Sequence, residues 1–195
     1  VRAIAEDKNG FIWAGTLDGL NRYDGYHTRS YQLATGNTHT LNDHRIRALF
    51  VTENGDLWVK TYRNEFSCYN PVTDTFTHVK DDAGRLLAFE NLYESSAGDV
   101  WLWGNNDGIL RMRKDNHGNI DRKQFLPATE TCNFLLEDTS GSIWIGTKKG
   151  LKKVTERDST ENYYNKEYYF TQAIELNGII YFSTMEASLL VYNIK

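Results

Sequence analysis

Proline and cysteine are scarce: the 195 residues include two of each. Cys68 and Cys132 lie in different segments of the repeat described below and read as buried free thiols rather than a disulfide staple. There is no excess of positive charge. The net charge is −4, which argues against a nucleic-acid surface, since that would need a basic stripe. No apolar run approaches the roughly 18 residues of a membrane span, and no signal-peptide pattern is present. His27, His39, His44, His78 and His117 have no ligand spacing to one another or to cysteine, so no metal site and no cofactor are expected. Convincing 3.6-residue apolar periodicity is also missing, which makes helices scarce.

What the chain does have is a phrase written five times. FIWAGTLDGLNRYD (11–24) returns as LWVKTYRNEFSCYN (57–70), VWLWGNNDGILRM (100–112), IWIGTKKGLKKV (143–154) and IYFSTMEASLLVYN (180–193). Anchored on Trp13, Trp58, Trp101, Trp144 and Tyr181, the spacings are 45, 43, 43 and 37 residues. A period in this range marks stacked supersecondary units. Before each anchor stands a β-rich segment (VRAIAED, IRALFVT, FENLYES, CNFLLED, FTQAIEL) and then a turn whose glycine lies three residues ahead of the aromatic. Glycine there supplies a positive φ, and Asp7 or Asp138 can accept amide hydrogen bonds across the turn. After the anchor strand come a second turn, a third strand and in most units a fourth. Four short antiparallel strands in about 40–45 residues make one propeller blade.

The sequence therefore predicts an all-β protein, a β-propeller of four-stranded antiparallel blades. The blades fall at about 1–37, 38–82, 83–128, 129–170 and 171–195, a partial propeller of about four and a half blades. The aromatic anchors are expected to fill the space between adjacent sheets, with the small Gly15, Gly146 or Ser183 allowing close approach. The fifth unit stops near its third strand, so the chain is expected to be part of a larger ring.

VRAIAEDKNGFIWAGTLDGLNRYDG resembles the two-component regulator propeller repeat, as does DTSGSIWIGTKKGLKKV, and THTLNDHRIRALF looks like that family's lead-in to a following repeat. The second unit departs from the pattern with Lys60 in place of glycine and an extra residue near Glu65. The third has a second tryptophan, Trp103, and an extra residue before Gly108. The fifth has Tyr181 in place of tryptophan. The resemblance implies the periplasmic input region of a hybrid two-component histidine kinase, built on seven-bladed rings, acting as a homodimer and binding oligosaccharides. This segment itself would be non-catalytic, with no nucleic-acid partner and no membrane span.

Ligands of propellers generally sit at one mouth, built from the loops between second and third strands and between consecutive blades. Those loops carry Asp18, Arg63, Asn64, Asn105, Asn106, Asp107, Lys148 and Lys149, then His44, Arg45 and Arg85. The candidate ligand-binding set is Trp103, Asn105, Asn106, Asp107, Arg63, Asn64, His44 and Arg45, because sugar recognition needs planar hydrogen-bonding groups around an aromatic platform. Trp103 has a second reading, as a gap-filler in an irregular blade. The run YYNKEYYF at 163–170 reads as a blade junction ahead of a sugar groove.

Two other functions compete. A protein-interaction scaffold would use a broad exposed face. A glycan-active enzyme is favoured by the DxxG turn, which also occurs in sialidase hairpins. A retaining hydrolase needs carboxyl pairs about 5–5.5 Å apart, and the loop acids here are scattered over different blades. No catalytic residue is assigned.

Overall fold

The structure, a computed structural model, describes residues 1–34, 36–37, 39–104, 108–114, 120–127, 129–155, 163–165, 167–186 and 189–194. Among them every regular element is a strand. The chain divides into two compact units, Val1–Phe89 and Glu90–Lys195.

In the first unit, β1 (Ala3–Glu6), β2 (Ile12–Thr16), β3 (Gly19–Tyr23) and β4 (Thr28–Tyr31) form one antiparallel sheet in chain order. A second sheet holds β5 (Ile46–Val51), β6 (Leu57–Thr61), β7 (Phe66–Asn70) and β8 (Thr75–His78). The second unit contains three sheets. The third is β9 (Asn91–Glu94), β10 (Val100–Trp103), β11 (Ile109–Lys114) and β12 (Ile120–Leu126). The fourth is β13 (Cys132–Glu137), β14 (Ile143–Thr147), β15 (Gly150–Val154) and β16 (Tyr163–Asn165). The fifth has three strands, β17 (Phe170–Leu176), β18 (Ile179–Thr184) and β19 (Leu189–Asn193). These up-and-down sheets are propeller blades.

Each first hairpin closes as its turn chemistry dictates. Gly10 and Gly141 stand at φ 79° and 78°, a region closed to most side chains, and Asp7 and Asp138 cap the turns. Asp7 Oδ1 accepts from the amides of Asn9 and Phe11 at 2.9 and 3.1 Å, and Asp138 Oδ1 from those of Ser140 and Ser142, both at 2.9 Å.

Four of the anchors are core residues. Trp13 packs on Tyr31 and, from the adjoining second sheet, Tyr69, with ring centroids 5.5 and 4.8 Å away. Trp101 shares a cluster with Ile143, Ile145 and Val154 of the fourth sheet, and Trp144 lies 4.8 Å from Tyr192 of the fifth. Burying such rings between sheets supplies much of the apolar stabilisation of each blade. Tyr181 differs, because it is half exposed on a face it shares with Ile174 and Val191, themselves 55% and 61% exposed. The buried residues of its strand are the neighbours Ile180 and Phe182.

The glycines two residues past the anchors also differ from one another. A methyl at Gly15 would meet Ile46 of the second sheet 2.5 Å away, as expected for close approach of a neighbouring blade. A methyl at Gly146 would strike the ring of Phe134, which belongs to its own sheet, so that glycine accommodates an intrasheet aromatic. Lys60, in the place of a repeat glycine, is buried with Nζ 5.5 Å from the Phe66 ring centroid.

Polar ties also join sheets. Glu137, at the end of β13, accepts from Ser96 N at 2.9 Å, Ser96 Oγ at 2.5 Å and Tyr93 OH at 2.7 Å in the third sheet and its turn. Glu175, at the matching place in β17, accepts from Thr139 N at 2.9 Å and Thr139 Oγ1 at 2.8 Å. In the first unit Tyr31 and Tyr69 both donate to Asp74, at 2.8 and 2.7 Å, and Arg22 donates to Tyr69 OH at 2.9 Å. Neither cysteine is in a disulfide. Cys132 is buried, and desolvation raises its pKa.

Candidate functional site

In the first unit the segment from β4 to β5 folds against the turn between β6 and β7. Its backbone is tied on both sides: Gly19 N donates to His44 O at 2.6 Å and Tyr62 N to Arg45 O at 3.0 Å. Leu41 and Ile46 are buried at either end, which fixes the residues between them. The facing turn is closed by Asn64, at φ 61°, whose amide donates to Thr61 O at 3.1 Å. Asparagine tolerates this left-handed conformation better than most residues.

Asp43 lies at the centre, 3% exposed. Its Oδ1 accepts from Arg45 N at 3.0 Å, its Oδ2 lies 3.3 Å from Arg45 Nη2 and 3.4 Å from Arg63 Nε, and His44 Nδ1 lies 3.7 Å from Oδ1. Burial would raise the Asp43 pKa. The amide and guanidinium of Arg45 and the charge of Arg63 outweigh it and hold the carboxyl below its ordinary value. Beside it, Glu65 is shifted the other way, raised mainly by desolvation and secondarily by Asp43, against the pull of Arg63. Asn42 Nδ2 donates to Glu65 Oε2 at 2.7 Å, while Asn42 Oδ1 is buried with no hydrogen-bond partner. Arg47 Nη1 donates to Asn64 Oδ1 at 3.0 Å.

Asn42 also lines a hollow of about 490 Å³, with Leu33, Leu41, His78, Lys80 and Leu86 among its other walls. That size is within the ordinary range for small-molecule sites. His78 Nδ1 is 2.8 Å from Ser67 Oγ, which orients the ring. The arrangement combines an apolar wall with amide, imidazole and ammonium groups, and Asn42 links it to Glu65 of the charged cluster. It suits a polyhydroxylated or mixed-polarity ligand.

Of the candidates expected from sequence, His44, Arg45, Arg63 and Asn64 come together here. Trp103 is in the second unit, half buried and packed against the cluster that contains Trp101. Asn105, Asn106 and Asp107 are outside the described residues. Other loop charges are locally engaged: Arg85 Nε pairs with Asp81 at 2.7 Å and Lys149 Nζ with Glu130 at 3.0 Å. Tyr164, from the 163–170 run, stands edge-on to Trp144 with centroids 5.3 Å apart. Sequence reading missed Asn42, Asp43 and Glu65. The Asn-Asp pair ahead of His44-Arg45, an Asx residue two positions before an amide it can cap, was the available signal. Among the described residues no group of three or more His, Cys, Asp or Glu could hold a metal ion, and no helix is long and apolar enough to cross a membrane.

The sheets define a β-propeller. Within it, the first repeat, residues 1–18, matches the two component regulator propeller family. No curated protein sequence matches the chain. Solved structures that share its fold include the following three. The extracellular domain assigned to the hybrid two component system BT3049 from B. thetaiotaomicron is 18% identical, with a TM-score of 0.51 over 99% of this chain and 33% of that one. PorZ, a surface component of the type-IX secretion system of Porphyromonas gingivalis, is 15% identical, with a TM-score of 0.58 over 98% and 32%. Virginiamycin B lyase from Staphylococcus aureus is 14% identical, with a TM-score of 0.52 over 98% and 69%. The chain spans about a third of the length of the first two. At these identities the likeness is one of fold.

Proposed function

We propose that this chain is a non-catalytic, extracytoplasmic ligand-sensing propeller domain of a hybrid two component sensor kinase, and that it responds to oligosaccharides. The observation that carries the reading is the hollow in the first unit, whose wall includes Asn42 with a buried, unpartnered Oδ1. An orphaned acceptor of this kind calls for a donor, and a sugar hydroxyl is one. Leu33, Leu41 and Leu86 offer surface to the C–H face of a pyranose, while Lys80 and His78 bring polar groups to the same wall. The two component regulator propeller repeat at residues 1–18 and the fold shared with the BT3049 extracellular domain support the sensor part of the reading. On this view the domain faces the periplasm and its parent protein works as a homodimer, whose state populations the ligand shifts.

A glycan array of neutral and acidic oligosaccharides, followed by calorimetric titration of any hit, tests the proposal. Asn42→Ala and Lys80→Ala, both in the wall of the hollow, should each weaken binding about tenfold or more while thermal unfolding stays cooperative. Undiminished binding in both variants would remove this hollow as the sensor site.

A further inference from the structure

Among the described residues of the second unit, two buried side-chain donors have no acceptor. Trp101 is 2% exposed and its Nε1 has no hydrogen-bond partner, and the buried Nε of Arg111 has none either. The nearby Asp99 Oδ2 is 3.8 Å from that Nε, beyond hydrogen-bond reach. Asp99 is already engaged by Arg113, with Nε to Oδ1 and Nη2 to Oδ2 both at 2.7 Å. Trp101 and Arg111 line one cavity of about 30 Å³, together with Ser95, Asp99, Arg113 and Glu137. Glu137 is occupied by Ser96 and Tyr93.

The fourth sheet indicates what the cavity lacks. There the turn residue is Asp138. One carboxylate oxygen caps the turn amides, while the other accepts from Trp144 Nε1 at 2.7 Å. Ser95 holds the same place in the third sheet. Its hydroxyl accepts from Asp99 N at 3.2 Å, but serine has no second oxygen to offer the indole. We propose that the cavity beside Trp101 and Arg111 binds a carboxylate no larger than formate, one oxygen accepting from each orphan N–H. Arg111 and Arg113 are balanced by Asp99 and Glu137 in the cavity lining, so the two N–H donors, not an excess of positive charge, would hold the guest. Entry is through a hollow of about 640 Å³ that is rich in serine and threonine hydroxyls and shares Ala97, Gly141 and Thr155 with the cavity.

The test is to titrate the full chain with sodium formate, against sodium chloride at matched ionic strength, following thermal unfolding and tryptophan emission. Formate should raise Tm saturably above the chloride control. Ser95→Asp brings its own carboxylate to the indole, so it should unfold at higher temperature without formate and lose the formate response. Trp101→Phe should weaken formate binding about tenfold, and it decides the matter alone if Ser95→Asp fails to fold. A wild-type chain that treats formate like chloride has only water in the cavity, which overturns the proposal. So does a full response retained in Trp101→Phe, which would put formate elsewhere.

Discussion

Trp13 and Trp144 each donate the indole N–H to an aspartate at 2.7 Å, Asp7 and Asp138, whereas the equally buried Trp58 and Trp101 have no partner for theirs. The difference begins in the turn, where the aspartate of the first and fourth repeats is Thr52 in the second and Ser95 in the third. A hydroxyl can still cap the hairpin, and Thr52 Oγ1 accepts from Asp56 N at 3.0 Å. It cannot do both jobs, because it has one oxygen and a shorter reach. In both hydroxyl blades an aspartate stands four residues on instead, as Asp56 and Asp99, and the Asp99 carboxylate is bound by Arg113 rather than by the indole. One repeat thus produces two kinds of anchor, one closed by a carboxylate and one held by packing alone. Each unit contains one of each kind, so each carries its own control.

The largest effect should come from removing a closed anchor. Trp13→Ala and Trp144→Ala should each destabilise by about 3–5 kcal/mol in denaturant unfolding, as for other buried large-to-small aromatic changes. Unchanged midpoints in both would mean the rings do not hold the sheets together.

Next comes the acceptor itself. Asp138→Ala orphans the Trp144 indole and uncaps the turn, and should cost about 2–3 kcal/mol. Acid should expose the same contact. Burial would raise the Asp138 pKa, but bonds from Ser140, Trp144 and the Ser142 amide outweigh it and lower it from 3.8. The unfolded chain therefore binds the proton more readily, so the contribution is full above 3.8 and is lost as pH falls through that value and on through the lower folded pKa. In Asp138→Asn this part of the acid slope should be missing; identical slopes for wild type and variant would show that the carboxylate is not coupled to folding.

The contrast between anchors is measured most directly by a paired change. Trp13→Phe and Trp58→Phe remove similar volume, but only the first breaks a hydrogen bond, so it should cost about 1 kcal/mol more. Equal costs would erase the distinction. The smallest effect is a gain: Thr52→Asp should close the open anchor of the second sheet and add about 1 kcal/mol, read as an upward shift in Tm.

The blade architecture was legible because its requirements are local and repeat. Period-2 alternation, a positive-φ glycine at each hairpin and an aromatic at fixed spacing are dictated by backbone geometry within a few residues, so they recur wherever a blade does. The candidate site was half legible. His44, Arg45, Arg63 and Asn64 could be assigned to one mouth from loop position, but that Asp43 gathers three of them could not. A polar residue in a loop looks alike whether it is solvated or buried, until the packing of Leu41 and Ile46 decides which way the loop turns.

Sequence by itself determined what each blade is: its strands, its turns and the residue that must be large at its middle. Tertiary structure decided what the blades do to one another. Tyr181 keeps its place in the repeat yet stands half exposed, Gly146 makes room within its own sheet, and Glu137 and Glu175 each reach the turn of the preceding sheet. The two glutamate ties join residues about 36–44 positions apart, brought together when whole sheets dock, and no spacing within a single repeat encodes that approach.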